Sequence, residues 1–157
     1  MRLHRVYTNQ QLEPGGEVSI RDRRAHYLTR VLRISKGQTI CLFNGDGYDY
    51  AAEILRPGKA QVLLSVFSKL PAVREPNLAI TVVQAISRGE RMDQTLQKCT
   101  ELGVFAFQPL FCERVEVKLR PEKLARRMTH WQGVVNAACE QSGRACVPEV
   151  RSPLHFG

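Results

Sequence analysis

The side chains of this chain best suited to chemistry are arginines, whose work is to bind phosphate and to stabilise developing negative charge. Arg88 precedes Gly89 and Arg91 follows two residues after it in Ser87-Arg88-Gly89-Glu90-Arg91. If a helix starts there, its free amides and these guanidiniums favour a phosphate or another anion. Read structurally, the same residues are an ordinary capped helix with solvated arginines. The pattern is neither a dinucleotide-binding glycine fingerprint nor a phosphate loop, which counts against a nucleotide-binding enzyme. A denser set is Arg21, Arg23, Arg24, Arg30, Arg33 and Lys36, with the single acid Asp22 and with His26 and Tyr27 interleaved. Like charges so close repel one another unless phosphates offset them, and an aromatic ring gives a base something to stack on. The alternative is a solvated basic face. A third set, Lys118, Arg120, Lys123, Arg126 and Arg127, crowds the start of a predicted helix, where cations oppose the helix dipole and an external anion would relieve them. Glu140, Gln141 and Arg144 gather where that helix should end and, by spacing alone, make a polar helix terminus.

Other chemistries find little support. Cys41, Cys99, Cys112, Cys139 and Cys146 show no C-x-x-C spacing and no nearby histidine pair, so no metal is expected. They read as reduced thiols, with Cys99 and Cys139 filling core positions on helices. Trp131 reads as core and His130 as surface.

The elements that must position these arginines fall into two grains. Leu78 to Ile86 is a nearly unbroken apolar run, predicting a strand buried on both faces. Ser87 and Glu90 fit a capping box opening a helix with Met92, Leu96, Cys99 and Leu102 on its apolar side and Gly103 at its end. Val104 to Leu110 predicts the next strand. Strand, helix and strand in this order form a right-handed parallel unit whose ligands gather beyond the strand carboxyl ends, where Ser87-Arg88-Gly89 falls. Pro121 suits the first turn of a second helix, with Leu124, Met128, Trp131, Val135 and Ala138 on its buried stripe and Gly143 closing it. Val147 to Arg151 predicts a third strand.

Residues 1–70 instead predict short strands at 3–7, 17–20, 38–43, 48–55 and 60–67, with a hairpin at Asn44-Gly45-Asp46-Gly47 and one helix capped by Asp22 and closed at Lys36-Gly37. This is a small closed β-rich domain. Residues 71–77, with two prolines and no periodicity, read as a linker, and 78–157 as an α/β domain. The 157 residues carry a net charge of +8, which points to a polyanionic partner such as nucleic acid. Eleven basic and six acidic side chains fall within residues 1–70, against twelve and nine in the remainder, so the excess is concentrated in the β-rich part. No apolar run approaches membrane-spanning length, and a cytoplasmic protein is expected.

Taken together and in order, HYLTRVLRISKG with FNGDG, then SRGERM, QKCTELGV, PLFCERVEVK and AACEQSGR, resemble the ribosomal RNA small subunit methyltransferase E (RsmE) family over essentially the whole chain. The resemblance implies a PUA-like β-barrel that binds RNA, followed by the first part of an α/β domain of the SPOUT class. It implies S-adenosylmethionine (SAM) as methyl donor, N3 of a uridine in 16S ribosomal RNA of the small subunit as acceptor, and a homodimer without metal. It further implies that the trefoil knot and its cofactor loops lie beyond Gly157, so that this chain is a fragment, inactive as it stands, covering the N-terminal two-thirds. Arg88, Arg144, Glu101 and Glu140 fall in matching blocks. Arg88 and Arg144 are the candidates to stabilise charge on the ring, with Glu101 and Glu140 to orient them or take a proton; a structural salt bridge is the plainer role for each. For RNA contact the candidates are Arg5, Arg21, Arg23, Arg24, Arg30 and Arg33, with Lys118 and Arg120. The competing function is a non-enzymatic RNA-binding or ribosome-assembly module.

Overall fold

The computed structural model describes residues 3–72, 75–113 and 120–156. They form two compact units, 1–73 and 74–157. The first is a five-stranded sheet of β1 (Arg5–Tyr7), β2 (Glu17–Arg21), β3 (Thr39–Phe43), β4 (Tyr48–Arg56) and β5 (Gln61–Pro71). The order is β1-β3-β4-β5-β2, with β1 parallel to β3 and the other pairs antiparallel. Among the described residues no pairing joins β1 to β2. The unit is therefore a half-barrel rather than the closed domain expected from sequence. Period-two alternation builds its core: Val62, Leu64 and Val66 of β5 are buried while Gln61 and Phe67 face out, and they pack with Ile40, Leu42, Ile54 and Leu28.

The Asn44–Gly47 hairpin forms as expected. Gly45 and Gly47 take φ +98° and +88°, and Asp46 accepts from the Tyr48 amide (3.0 Å) and the Tyr50 hydroxyl (2.5 Å). The helix of this unit departs from expectation. It runs as α1 (Asp22–His26) and continues as a π-helical turn over Tyr27–Val31, ending before Lys36. Asp22 does not cap it. An N-cap needs extended backbone, and Asp22 sits at φ +57° with no cap hydrogen bond.

The second unit holds β6 (Thr81–Ala85), α2 (Glu90–Glu101), β7 (Ala106–Cys112), α3 (Pro121–Ser142), β8 (Glu149–Val150) and β9 (Leu154–Phe156). β7 is central and parallel to all of its partners, β6 on one side and β8 then β9 on the other. The third strand is thus two short pieces interrupted at 151–153, where Pro153 offers no amide to a ladder. Met92, Leu96, Phe107, Trp131 and Val135 form the core between helices and sheet.

Three local expectations change here. Among the described residues β6 pairs with β7 alone and is not buried on both faces: Val83 is 61 % exposed, and Leu78 and Ile80 precede the strand and are also exposed. No capping box forms. Ser87 Oγ lies 3.4 Å from the Ala85 carbonyl, and Gly89, at φ +60° and ψ −141°, a conformation open mainly to glycine, is the N-cap. Leu102 leaves the buried stripe because it is the C-cap of α2 and is 81 % exposed. Contacts are made by the described residues of 71–77. β5 includes Pro71, Glu75 pairs with Arg144, and the Pro76 ring lies where a Cβ on Gly103 would stand.

Candidate nucleic-acid interface and strand-end site

The half-barrel gathers most of the predicted RNA contacts on one segment. Arg21 ends β2, Arg23 and Arg24 lie on α1, Arg30 on the π-helical turn, and Arg33 just after it at φ +50°. Non-glycine residues with positive φ thus stand near both ends of a segment containing a π-helical turn, a combination of local irregularities that recurs at functional sites. Arg21, Arg23, Arg30 and Arg33 are exposed, as is Tyr27 beside them. Arg24 is fixed: it donates to the Tyr7 carbonyl (2.5 Å) and lies 5.0 Å above the Tyr7 ring. Arg5 is committed inward. It pairs with Asp49, donates to Cys41 Sγ (3.4 Å) and covers the Phe43 ring at 4.8 Å. Burial beside this pair pushes the Cys41 thiol up to about 11.

A cleft of about 580 Å³ opens next to the segment, lined by residues 8–10 and 19–24. Its arginines stand out in the sequence by density, but Asn9 and Gln10 do not. Nothing in their spacing marked them, because the fold brings the residues after β1 beside the end of β2.

The second unit separates its four predicted catalytic residues. Arg88 is exposed just beyond the carboxyl end of β6. Arg144 is at the other end of the sheet: it donates to both Glu75 carboxylate oxygens (Nε at 3.2 and 3.0 Å, Nη2 at 2.6 Å) and through Nη1 to the carbonyls of Thr100 and Val104, each at 2.9 Å. Val104 precedes the amino end of β7. At about 3.3 Å per residue, the five paired positions of β6 and β7 put the two ends roughly 15 Å apart. Each helix runs back from a strand carboxyl end to the next amino end, so Glu101, last in α2, and Glu140, in the last turn of α3, also lie on the amino side. Glu101 accepts from Lys98 (2.9 Å) and Gln97 (3.0 Å), and the Lys98 hydrogen bond holds its carboxyl below the usual range. Of the four, Arg88 alone stands where open α/β sheets bind ligands, on the side where α2 and α3 begin. Arg120, exposed at the N-cap of α3, shares that side; Lys118 lies outside the described residues. His130 is on the surface, bonded to Asp93 at 2.7 Å across α3 and α2.

Comparison with known proteins matches each unit. A family model described as "RNA methyltransferase domain" covers residues 74–157, and one described as "RNA methyltransferase PUA domain" covers residues 20–67. The chain belongs to the ribosomal RNA small subunit methyltransferase E family. The Synechocystis enzyme of that name is 38 % identical over 142 residues, 89 % of this chain and 44 % of its own length. The Buchnera aphidicola (Schizaphis graminum) enzyme is 30 % identical over 155 residues, 99 % of this chain and 63 % of its own length. The chain therefore spans between about half and two-thirds of the curated relatives it matches. Among solved structures, the family member from Neisseria gonorrhoeae, bound to S-adenosyl methionine, superposes with a TM-score of 0.93 at 38 % identity, over 98 % of this chain and 63 % of that one. A Legionella pneumophila methyltransferase in complex with SAM gives 0.93 at 39 % identity, over 99 % and 64 %. The architecture is a PUA-like half-barrel followed by α/β elements that match the start of a SPOUT domain.

Proposed function

We propose that this chain is the RNA-binding half-barrel and the leading part of the catalytic domain of a SAM-dependent 16S ribosomal RNA methyltransferase acting on uridine N3 in the small subunit, cytoplasmic and homodimeric when whole. The observation that carries this reading is the order of the two family matches along a chain whose first unit bears an exposed arginine segment beside a cleft.

The chemistry sets what each part must do. Uracil N3 bears a weakly acidic proton and is engaged in pairing, so the base has to be unpaired and drawn out of its stack. Arg21, Arg23, Arg30 and Arg33 hold the RNA backbone while this happens. Loss of the N3 proton leaves negative charge on the ring, and Arg88 is the residue we assign to stabilise it. Arg144, Glu101 and Glu140 take no part at the ring; Arg144 is a clamp that fixes the α2–β7 junction.

The methyl donor supplies an electrophilic methyl group on a sulfonium. The described residues at the strand carboxyl ends do not fit it by themselves, because Arg88, Arg91 and Arg120 would repel a sulfonium cation and no glycine-rich turn stands beside them.

Titrating this chain with a labelled fragment of the 16S 3′ domain, and separately with SAM, tests the reading. Salt-sensitive RNA binding with SAM binding weaker than about 1 mM, or about −4 kcal/mol, is expected. Absence of RNA binding would overturn it. A second reading, a non-enzymatic RNA-binding module, gains from the poor fit to the donor. It prevails if a version carrying the C-terminal portion found in its relatives also fails to transfer a labelled methyl group to 16S RNA.

A further inference from the structure

The cleft beside the arginine segment holds a group that a plain phosphate-binding surface would not carry. Asp22 sits between Arg21 and Arg23, yet among the described residues its carboxylate makes no ion pair within 4.0 Å, and its backbone is held at φ +57°. Asp22 is exposed, and its carboxylate repels RNA phosphates, so in this lining it is suited to a donor-bearing ligand group. The rest of the lining is consistent with this. The Gln10 amide nitrogen donates to the Ser19 carbonyl (2.8 Å) and to Thr8 Oγ1 (3.3 Å), which leaves its carbonyl oxygen as the group it offers. Thr8 is itself buried, and Arg24 is fixed against Tyr7, so these two lining residues are held before any ligand arrives. Arg21 and Arg23 are exposed at the rim, and Arg23 has no hydrogen bond or ion pair among the described residues.

We propose that this cleft binds one unpaired guanine nucleotide of the RNA, its phosphates on Arg21 and Arg23 and its Watson–Crick edge on the Asp22 carboxylate, with the Gln10 carbonyl oxygen as a further acceptor. Guanine is the base that presents two adjacent donors, N1–H and N2–H2, matching the two oxygens of a carboxylate. Uracil offers one N–H flanked by two carbonyls that would face the carboxylate, while adenine and cytosine each set a ring acceptor beside their amino group. The volume, about 580 Å³, lies within the range of about 300–1,000 Å³ usual for small-ligand sites. The proposal rests on the reading that the first unit binds RNA and adds which base the cleft selects.

The test is fluorescence anisotropy of the full chain with labelled nine-nucleotide RNAs that are all uridine except for a central G, A, C or U. The G oligomer is expected to bind about tenfold more tightly than the U oligomer. Asp22→Asn should bring that ratio to within about twofold, since its amide presents only one acceptor. Asp22→Gly should do the same while raising the melting temperature, because glycine adopts φ +57° without strain. A melt of each variant shows that it is folded. Equal affinity for the four oligomers, or a G preference that survives both substitutions, overturns the proposal while leaving RNA binding intact. Failure to bind any oligomer overturns both this proposal and the RNA-binding reading.

Discussion

At the scale of single residues, Arg5 and Arg144 are each held by several internal partners. Arg144 holds a bidentate carboxylate and two main-chain carbonyls, with its side chain 11 % and that of Glu75 27 % exposed. Its truncation leaves a largely buried carboxylate and two carbonyls without their donor, so Arg144→Ala should destabilise the second unit by about 3 kcal/mol in urea unfolding. Arg144→Lys should recover little, since an ammonium cannot span both carboxylate oxygens and both carbonyls. Were Arg144 instead an exposed catalytic group, both variants would melt like the wild type. Cys41 gives a second prediction. Its thiol titrates at about 11 in the folded chain because burial disfavours the thiolate. The folded state therefore keeps its proton where the unfolded chain, with a thiol near 9, has lost it. The contribution to stability is complete below pH 9 and is lost as pH rises through 11, so Cys41→Ala should flatten the alkaline limb of a stability–pH profile. Native Cys41 should also resist alkylation at pH 8, and unfolding should release it.

At the scale of elements, glycines at helix ends carry much of the second unit, but not for one reason. Gly103 at φ +97° has the Pro76 ring where a Cβ would stand, 2.5 Å from Cγ and 3.2 Å from Cδ. Gly143 at φ +88° has open space. Gly143→Ala should cost the backbone strain alone, about 1 kcal/mol, whereas Gly103→Ala should cost about 3 kcal/mol because it also displaces Pro76. Equal losses on denaturation would mean that Pro76 does not pack there. Both glycines were legible as helix ends, because the apolar periods of α2 and α3 run up to them and a left-handed cap follows from residue type. The contact with Pro76 was not, since two residues 27 apart in the chain carry no mark of meeting. The start of α2 misled for a related reason. Ser87 and Glu90 have the capping-box spacing, but β6 ends at Ala85, and the chain turns through Gly89 before the helix begins. β6 differs as well: its apolar run looked doubly buried, yet among the described residues it pairs with β7 alone and its Val83 side chain lies open. The cleft was half legible. Its arginines stood out by density, while Asn9 and Gln10 became partners only when β2 returned beside the end of β1.

At the scale of the whole molecule the charge decides how the chain meets its partner. The net +8 gives a general attraction for polyanions, but only cations that touch phosphate release counterions, and the structure separates exposed arginines from those held internally. Arg5, Arg24 and Arg144 are tied to internal partners. Arg21, Arg23, Arg30 and Arg33 are exposed along one segment of the half-barrel. If these four hold single-stranded RNA, the logarithm of affinity should fall against the logarithm of salt with a slope of about −2.8, at about 0.7 per phosphate contact. Between 50 and 200 mM salt that is a loss of about fiftyfold. Arg30→Ala should shallow the slope by about 0.7, whereas Arg5→Ala should leave the slope unchanged even as it lowers the melting temperature. A slope near −6 would bring in the cations at the start of α3, Arg120, Lys123, Arg126 and Arg127, and would place RNA on both units. A slope unaltered by Arg30→Ala would remove the π-helical turn from the interface and leave the cleft and its two rim arginines as the seat of binding.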